Sequence, residues 1–152
     1  MGNEKFSAHG DVKAQFVQER RMLIIDLSGP FNLEFIRKYQ RVVGAERRNI
    51  NVPCWASLVN VYGLALAPME ATVDAQLIVD EAVESGLVAT AVILHESEGI
   101  ALQQKFWSKI YEATTLPFQF FSETSEASEW LSEKIASSMR AKGVYQNSNI
   151  NR

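Results

Sequence analysis

Three short apolar runs, at residues 22–27, 54–61 and 88–94, set the limits on what this chain can fold into. All three read as buried strands, the last with two valines and an isoleucine. Each is followed by a mostly apolar face at helical spacing. After the first come Phe35, Ile36, Tyr39, Val42 and Val43; after the second, Ala71, Ala75, Ile78, Val79 and Ala82; after the third, Gln103, Phe106, Trp107, Ile110 and Tyr111. Buried strands that alternate with amphipathic helices predict an α/β fold with a mostly parallel sheet and right-handed crossovers.

The remaining elements follow from local signals. Val12, Ala14 and Phe16 alternate with Lys13 and Gln15, which predicts a half-buried strand. Residues 19–21 turn it into the strand at 22–27, most simply as a hairpin. Ser28, Gly29 and Pro30 break that strand, and Asn32 is a good N-cap. Gly44 is expected to weaken the end of the first helix. Pro68 suits the first turn of the second helix, where its missing N–H would go unpaired, and Gly86 is its stop. Ser97 is expected to cap the third helix. A short aromatic strand at 118–121 follows. Thr124 or Ser125 is expected to cap a last helix striped by Ala127, Trp130, Leu131, Ile135 and Met139. The prediction is one domain of about five strands and four helices over 11–142, with a flexible N-terminus at 1–10 and a mobile, Asn-rich tail at 143–152.

A length of 152 residues suits one domain, and 47% apolar with 22% charged residues is the balance of a soluble globular chain. No apolar run approaches the roughly 20 residues of a membrane span. The opening Met-Gly-Asn-Glu-Lys-Phe-Ser has no apolar core of a secretory signal, so a cytoplasmic location is expected. Cys54 is the single cysteine, which leaves no intrachain disulfide and no thiolate cluster; in a strand it reads as a small hydrophobe. The net charge is −3, unevenly spread. Arg37, Lys38, Arg41, Arg47 and Arg48 crowd the first helix. No Lys or Arg lies between Arg48 and Lys105, an interval that holds Glu70, Asp74, Asp80, Glu81, Glu84, Glu96 and Glu98. An acidic middle argues against nucleic acid and reads as a solvated face or a surface for a basic protein partner.

Catalytic signatures are weak. His95 stands beside Glu96, Ser97 and Glu98, but adjacent residues cannot face one another as a triad must. One His and two Glu in a row are too few convergent ligands for a metal. Gly63 stands alone, without the glycine pattern of a phosphate or dinucleotide loop. No cofactor and no catalysis are expected. Trp55, Trp107 and Trp130 sit at core-facing positions of three elements, which suits packing better than a ligand cage.

The run Leu23-Ile24-Ile25-Asp26-Leu27-Ser28-Gly29-Pro30-Phe31 and the ending from Phe118 to Leu131, a short aromatic strand, an acidic cap and Ala-x-x-Trp-Leu, resemble the SpoIIAA-like, STAS-related family over about residues 11–136. The resemblance implies a β/α superhelix with strands in sequential order. Well-known members are anti-sigma-factor antagonists, in which a partner kinase phosphorylates a serine where the helix after the central strand begins. The corresponding stretch here, Asn60-Val61-Tyr62-Gly63-Leu64-Ala65-Leu66, has no Ser or Thr, and the first downstream is Thr72. The resemblance therefore implies a regulatory or protein-interaction module without the phospho-switch.

In a parallel sheet the functional crevice lies outside the carboxyl ends of the strands. Those ends present Ser28 and Gly29, then Asn60, Tyr62 and Gly63, then His95, Glu96 and Ser97, then Ser122. A helix starting near Ala67 would add free N–H groups and a positive dipole end suited to an anion. This edge is the expected site, for a protein partner or, alternatively, for a small anionic or lipid-like ligand. Strands apolar on both faces, with helices on one side only, also lead to the expectation of a homodimer covering the second face.

Overall fold

The computed structural model describes residues 10–29, 32–63, 69–95 and 99–143. Its elements run β1 (Asp11–Val17), β2 (Met22–Ser28), α1 (Leu33–Arg48), β3 (Trp55–Tyr62), α2 (Met69–Glu84), β4 (Leu87–Leu94), α3 (Ile100–Glu112), β5 (Phe118–Phe121) and α4 (Thr124–Ala141). Of the expected flexible N-terminus at 1–10 and mobile tail at 143–152, residues 1–9 and 144–152 lie outside the described residues.

The strands form one sheet in the order β1-β2-β3-β4-β5. β1 pairs antiparallel with β2 as the expected hairpin, and the other three pairings are parallel. A single turn of 3-10 helix at Gln18–Arg20 makes the hairpin corner, with Arg21 left-handed at φ 55° after it. α1 begins as its sequence suggests, with Asn32 Oδ1 accepting from the Phe35 N–H at 2.9 Å, so one orphan donor of the first turn is satisfied. It does not weaken at Gly44 but runs on to Arg48, where Arg47 and Arg48 complement the negative end of the helix dipole. α3 starts at Ile100 with Gly99 in the left-handed region at φ 66° as its N-cap. The expected cap Ser97 lies outside the described residues, as does the chain around Pro68. α4 starts one residue before its expected register, so Glu123 rather than Thr124 or Ser125 is the N-cap.

Strand alternation divides the core in two. Leu23, Ile25 and Leu27 of β2, Val59 and Val61 of β3, and Val92 of β4 face α1, α2 and α3. Met22, Ala56, Leu58, Ala89, Ala91 and Ile93 face the other way, onto Ala127, Leu131 and Ile135 of α4. The three crossover helices share one face because each joins neighbouring parallel strands by a right-handed turn. α4 is bound by no such rule, since no strand follows it among the described residues. It crosses to the far side and covers the apolar face of β3, β4 and β5 there.

The tryptophans pack at three separate places. Trp55 is 1% exposed and donates from Nε1 to Ser85 O at 3.1 Å. Trp107 lies among the helices of the first core, and Trp130 sits over Phe121 at 5.6 Å with Lys134 Nζ on its ring. Cys54 is buried, with Sγ 3.6 Å from Ser138 Oγ of α4.

Candidate functional site

α4 packs on β3, β4 and β5, which leaves the β1–β2 side of the second face open toward the carboxyl ends of the strands. There the register aligns Lys13, Asp26 and Asn60 across three strands. His95, two residues beyond Ile93, shares this face, its backbone N–H extending the ladder to Val61 O at 2.9 Å.

The side chains form a chain of contacts. Asn60 Nδ2 donates to Asp26 Oδ1 at 2.9 Å. An ionised carboxylate only accepts, so Asn60 turns its NH2 toward Asp26 and its carbonyl oxygen away. That oxygen lies 2.9 Å from His95 Nε2. Because an amide oxygen cannot donate, His95 carries its proton on Nε2, and Nδ1 is the ring's acceptor, with no hydrogen bond among the described residues. Tyr62, next but one after Asn60 on the same face, stacks flat on His95 with ring centroids 4.4 Å apart and planes 11° apart. Asn60 is 9% exposed and Tyr62 42% exposed, so a buried amide anchors an exposed aromatic pair.

Of the residues expected at this edge, the structure brings Asn60, Tyr62 and His95 into direct contact. Ser28 is the strand partner of Tyr62, and Gly29 follows it. Gly63 takes φ +77°, where a side chain would be strained, and space beside it is open. Ser122 follows β5, one strand further along the sheet. Glu96 and Ser97, and the chain at Ala67, lie outside the described residues. Thr72, the first hydroxyl after β3, is 6% exposed, so burial sets it apart from an accessible phosphoacceptor.

Asp26 is the residue that sequence reading missed. Its signal was available: a lone carboxylate inside the run Met22-Leu23-Ile24-Ile25-Asp26-Leu27. A charge on a central strand needs a partner, and here it has Asn60. Among the described residues no three His, Cys, Asp or Glu converge as a metal site, and no helix is long and apolar enough to cross a membrane.

No family model and no curated protein matches the chain. A solved structure does. It is that of an uncharacterized protein from the DUF3478 family, with a SpoIIAA-like fold, from Shewanella loihica PV-4. The match has a TM-score of 0.55 at 17% identity and covers 82% of this chain and 97% of that one. The fold is SpoIIAA-like. The expected five-stranded, mostly parallel sheet with four helices is found in the chain's own architecture, and the neighbour's fold is the expected SpoIIAA-like one. Identity this low speaks for the SpoIIAA-like fold alone, and the work of the chain has to be argued from its own residues.

Proposed function

We propose that the chain is a non-catalytic, STAS-like interaction module acting in the cytoplasm, and that it docks a protein partner through Tyr62 and His95. The observation that carries this reading is the anchored aromatic pair. Tyrosine supplies a large amphipathic contact at low entropic cost, and here its ring is already held by His95, Asn60 and Asp26. The absence of Ser and Thr from residues 60–66 favours constitutive docking over a phosphorylation switch. Tyr62 stacks on the imidazole instead of presenting its hydroxyl to Nδ1, which favours recognition over proton transfer. α4 covers β3, β4 and β5 on the second face, and a homodimer would bury what remains of it on the β1–β2 side.

A second reading is that the same edge takes a small anionic or lipid-like ligand, in the open space that Gly63 leaves beside Tyr62 and His95. Affinity capture from lysate with wild type, Tyr62→Ala and Gly63→Glu, beside a ligand titration followed by NMR, separates the two. The docking reading requires protein partners that wild type retains and both folded variants lose. The ligand reading requires His95 ring shifts on adding small anions. If both variants fold and keep every partner and ligand of the wild type, this edge is not the site.

A further inference from the structure

On the opposite face, under the crossover helices, the core is not filled. One cavity of about 50 Å³ lies among Phe35, Ile36, Phe106 and Trp107. A second, of about 40 Å³, reaches toward Trp55 and Leu87. A third, of about 160 Å³, lies between α1 and α2 beside Gln40, Gly44, Arg47, Arg48 and Glu81. Tyr39 and Ile78 wall all three, and Val43 and Arg47 are common to the second and third. The three hollows, partly open to solvent, adjoin along α1 and leave a run of unfilled space beside it.

The polar groups are placed at one end. The Arg47 side chain is 19% exposed, and its partner Glu81, itself 67% exposed, stands 3.9 Å away. A pair that long and that wet contributes little, so the guanidinium can exchange Glu81 for another carboxylate. Arg47 also acts on the Tyr39 hydroxyl, which makes no hydrogen bond among the described residues. Gly44 lies inside α1, where glycine is a poor helix former. A Cβ there would meet only Arg48 Nη1, at 3.4 Å, so the missing side chain keeps the mouth open. From Phe35 to Arg47 the helix axis rises about 18 Å, so the hollows are spread along most of α1.

We propose that this passage binds a monocarboxylate with a slim apolar chain, its carboxylate on Arg47 and the Tyr39 hydroxyl and its chain along Ile78 toward Trp107. The ligand enters between α1 and α2, on the face away from Tyr62 and His95, so this site stands or falls independently of the docking edge. A passage with Arg47, Arg48 and the Tyr39 hydroxyl at its mouth, against the single carboxylate of Glu81, selects for an anionic head and against a neutral one.

The test is a titration of the full-length protein with decanoate, followed by tryptophan emission, since Trp107 and Trp55 line two of the cavities. Decanoate is expected to saturate, with decanol and the Arg47→Gln variant each weaker by roughly tenfold or more, as fits loss of a charge-assisted contact. Gly44→Leu, which places a side chain in the mouth, is expected to abolish binding. The proposal is overturned if decanoate shows no saturable binding below its micellar range, or if decanol binds as tightly. Unchanged affinity in Arg47→Gln also overturns it, and that variant and decanol decide the matter alone should Gly44→Leu fail to fold.

Discussion

Asn60 joins Asp26 to His95, two residues that lie 34 and 35 positions away from it in the chain, through two contacts of 2.9 Å. One amide thereby sets the orientation of the imidazole on which Tyr62 lies.

That relay predicts a tautomer. In wild-type protein, nitrogen-15 NMR of the His95 ring should show the neutral form protonated on Nε2. Asn60→Ala, which removes the acceptor, should give a mixture of tautomers. Asp26→Ala should do so partially, by freeing the amide to turn. A single tautomer in all three proteins would show that the amide does not orient the ring.

Beneath the crossover helices, Ser57 Oγ and Thr90 Oγ1 are 2.6 Å apart, with both residues at 5% exposure or less. Thr90→Val leaves the serine hydroxyl without this partner and should cost about 1–3 kcal/mol in urea unfolding. Adding Ser57→Ala should cost less than the two single changes together, because the second change removes the orphaned group. Full additivity would deny the coupling.

Gly86 ends α2 at φ +118°, and a Cβ there would stand 3.0 Å from Trp55 Nε1, which itself donates to Ser85 O. Gly86→Ala therefore meets both a backbone penalty and a rigid indole. A loss of about 1–3 kcal/mol is expected, with a change in tryptophan emission. A variant as stable as the wild type would mean that the indole moves freely.

The packing of α4 makes a prediction about association. Leu131 is fully buried between α4 and the sheet, and Leu131→Ala should cost about 2–5 kcal/mol. Removing the helix from Thr124 onward bares the apolar face of β3 and β4 and should drive self-association, visible by light scattering. A truncated chain that stays monomeric at micromolar concentration would deny α4 its covering role.

Alkaline pH should unfold the protein by a traceable route. Burial pushes the Tyr39 phenol up from 10.0 to about 12, against a smaller lowering by Arg47, and burial raises Tyr111 as well. A raised folded value means that the folded state holds the proton more tightly than the unfolded chain. Their contribution is complete below about pH 10 and is lost as pH rises toward the folded values. Urea midpoints should fall over that window, and Tyr39→Phe should flatten the fall. An equal slope in the variant would count against burial as the cause.

Much of this molecule is legible in its residues, because strand and helix periods are local. The runs at 22–27, 54–61 and 88–94 name the three central strands, Asn32 names the start of α1, and alternation with short connections dictates the sequential parallel order. The same logic marks the strand ends, and so Asn60, Tyr62 and His95. The side taken by α4 was not legible: a terminal helix obeys no crossover rule, and only the apolar surface left over by α1, α2 and α3 draws Leu131 to the far face. Nor was the company of Asp26, since a lone carboxylate in an apolar strand announces that it needs a partner without naming one. Register across β2, β3 and β4 supplies Asn60 and then His95, and register is a property of three strands at once.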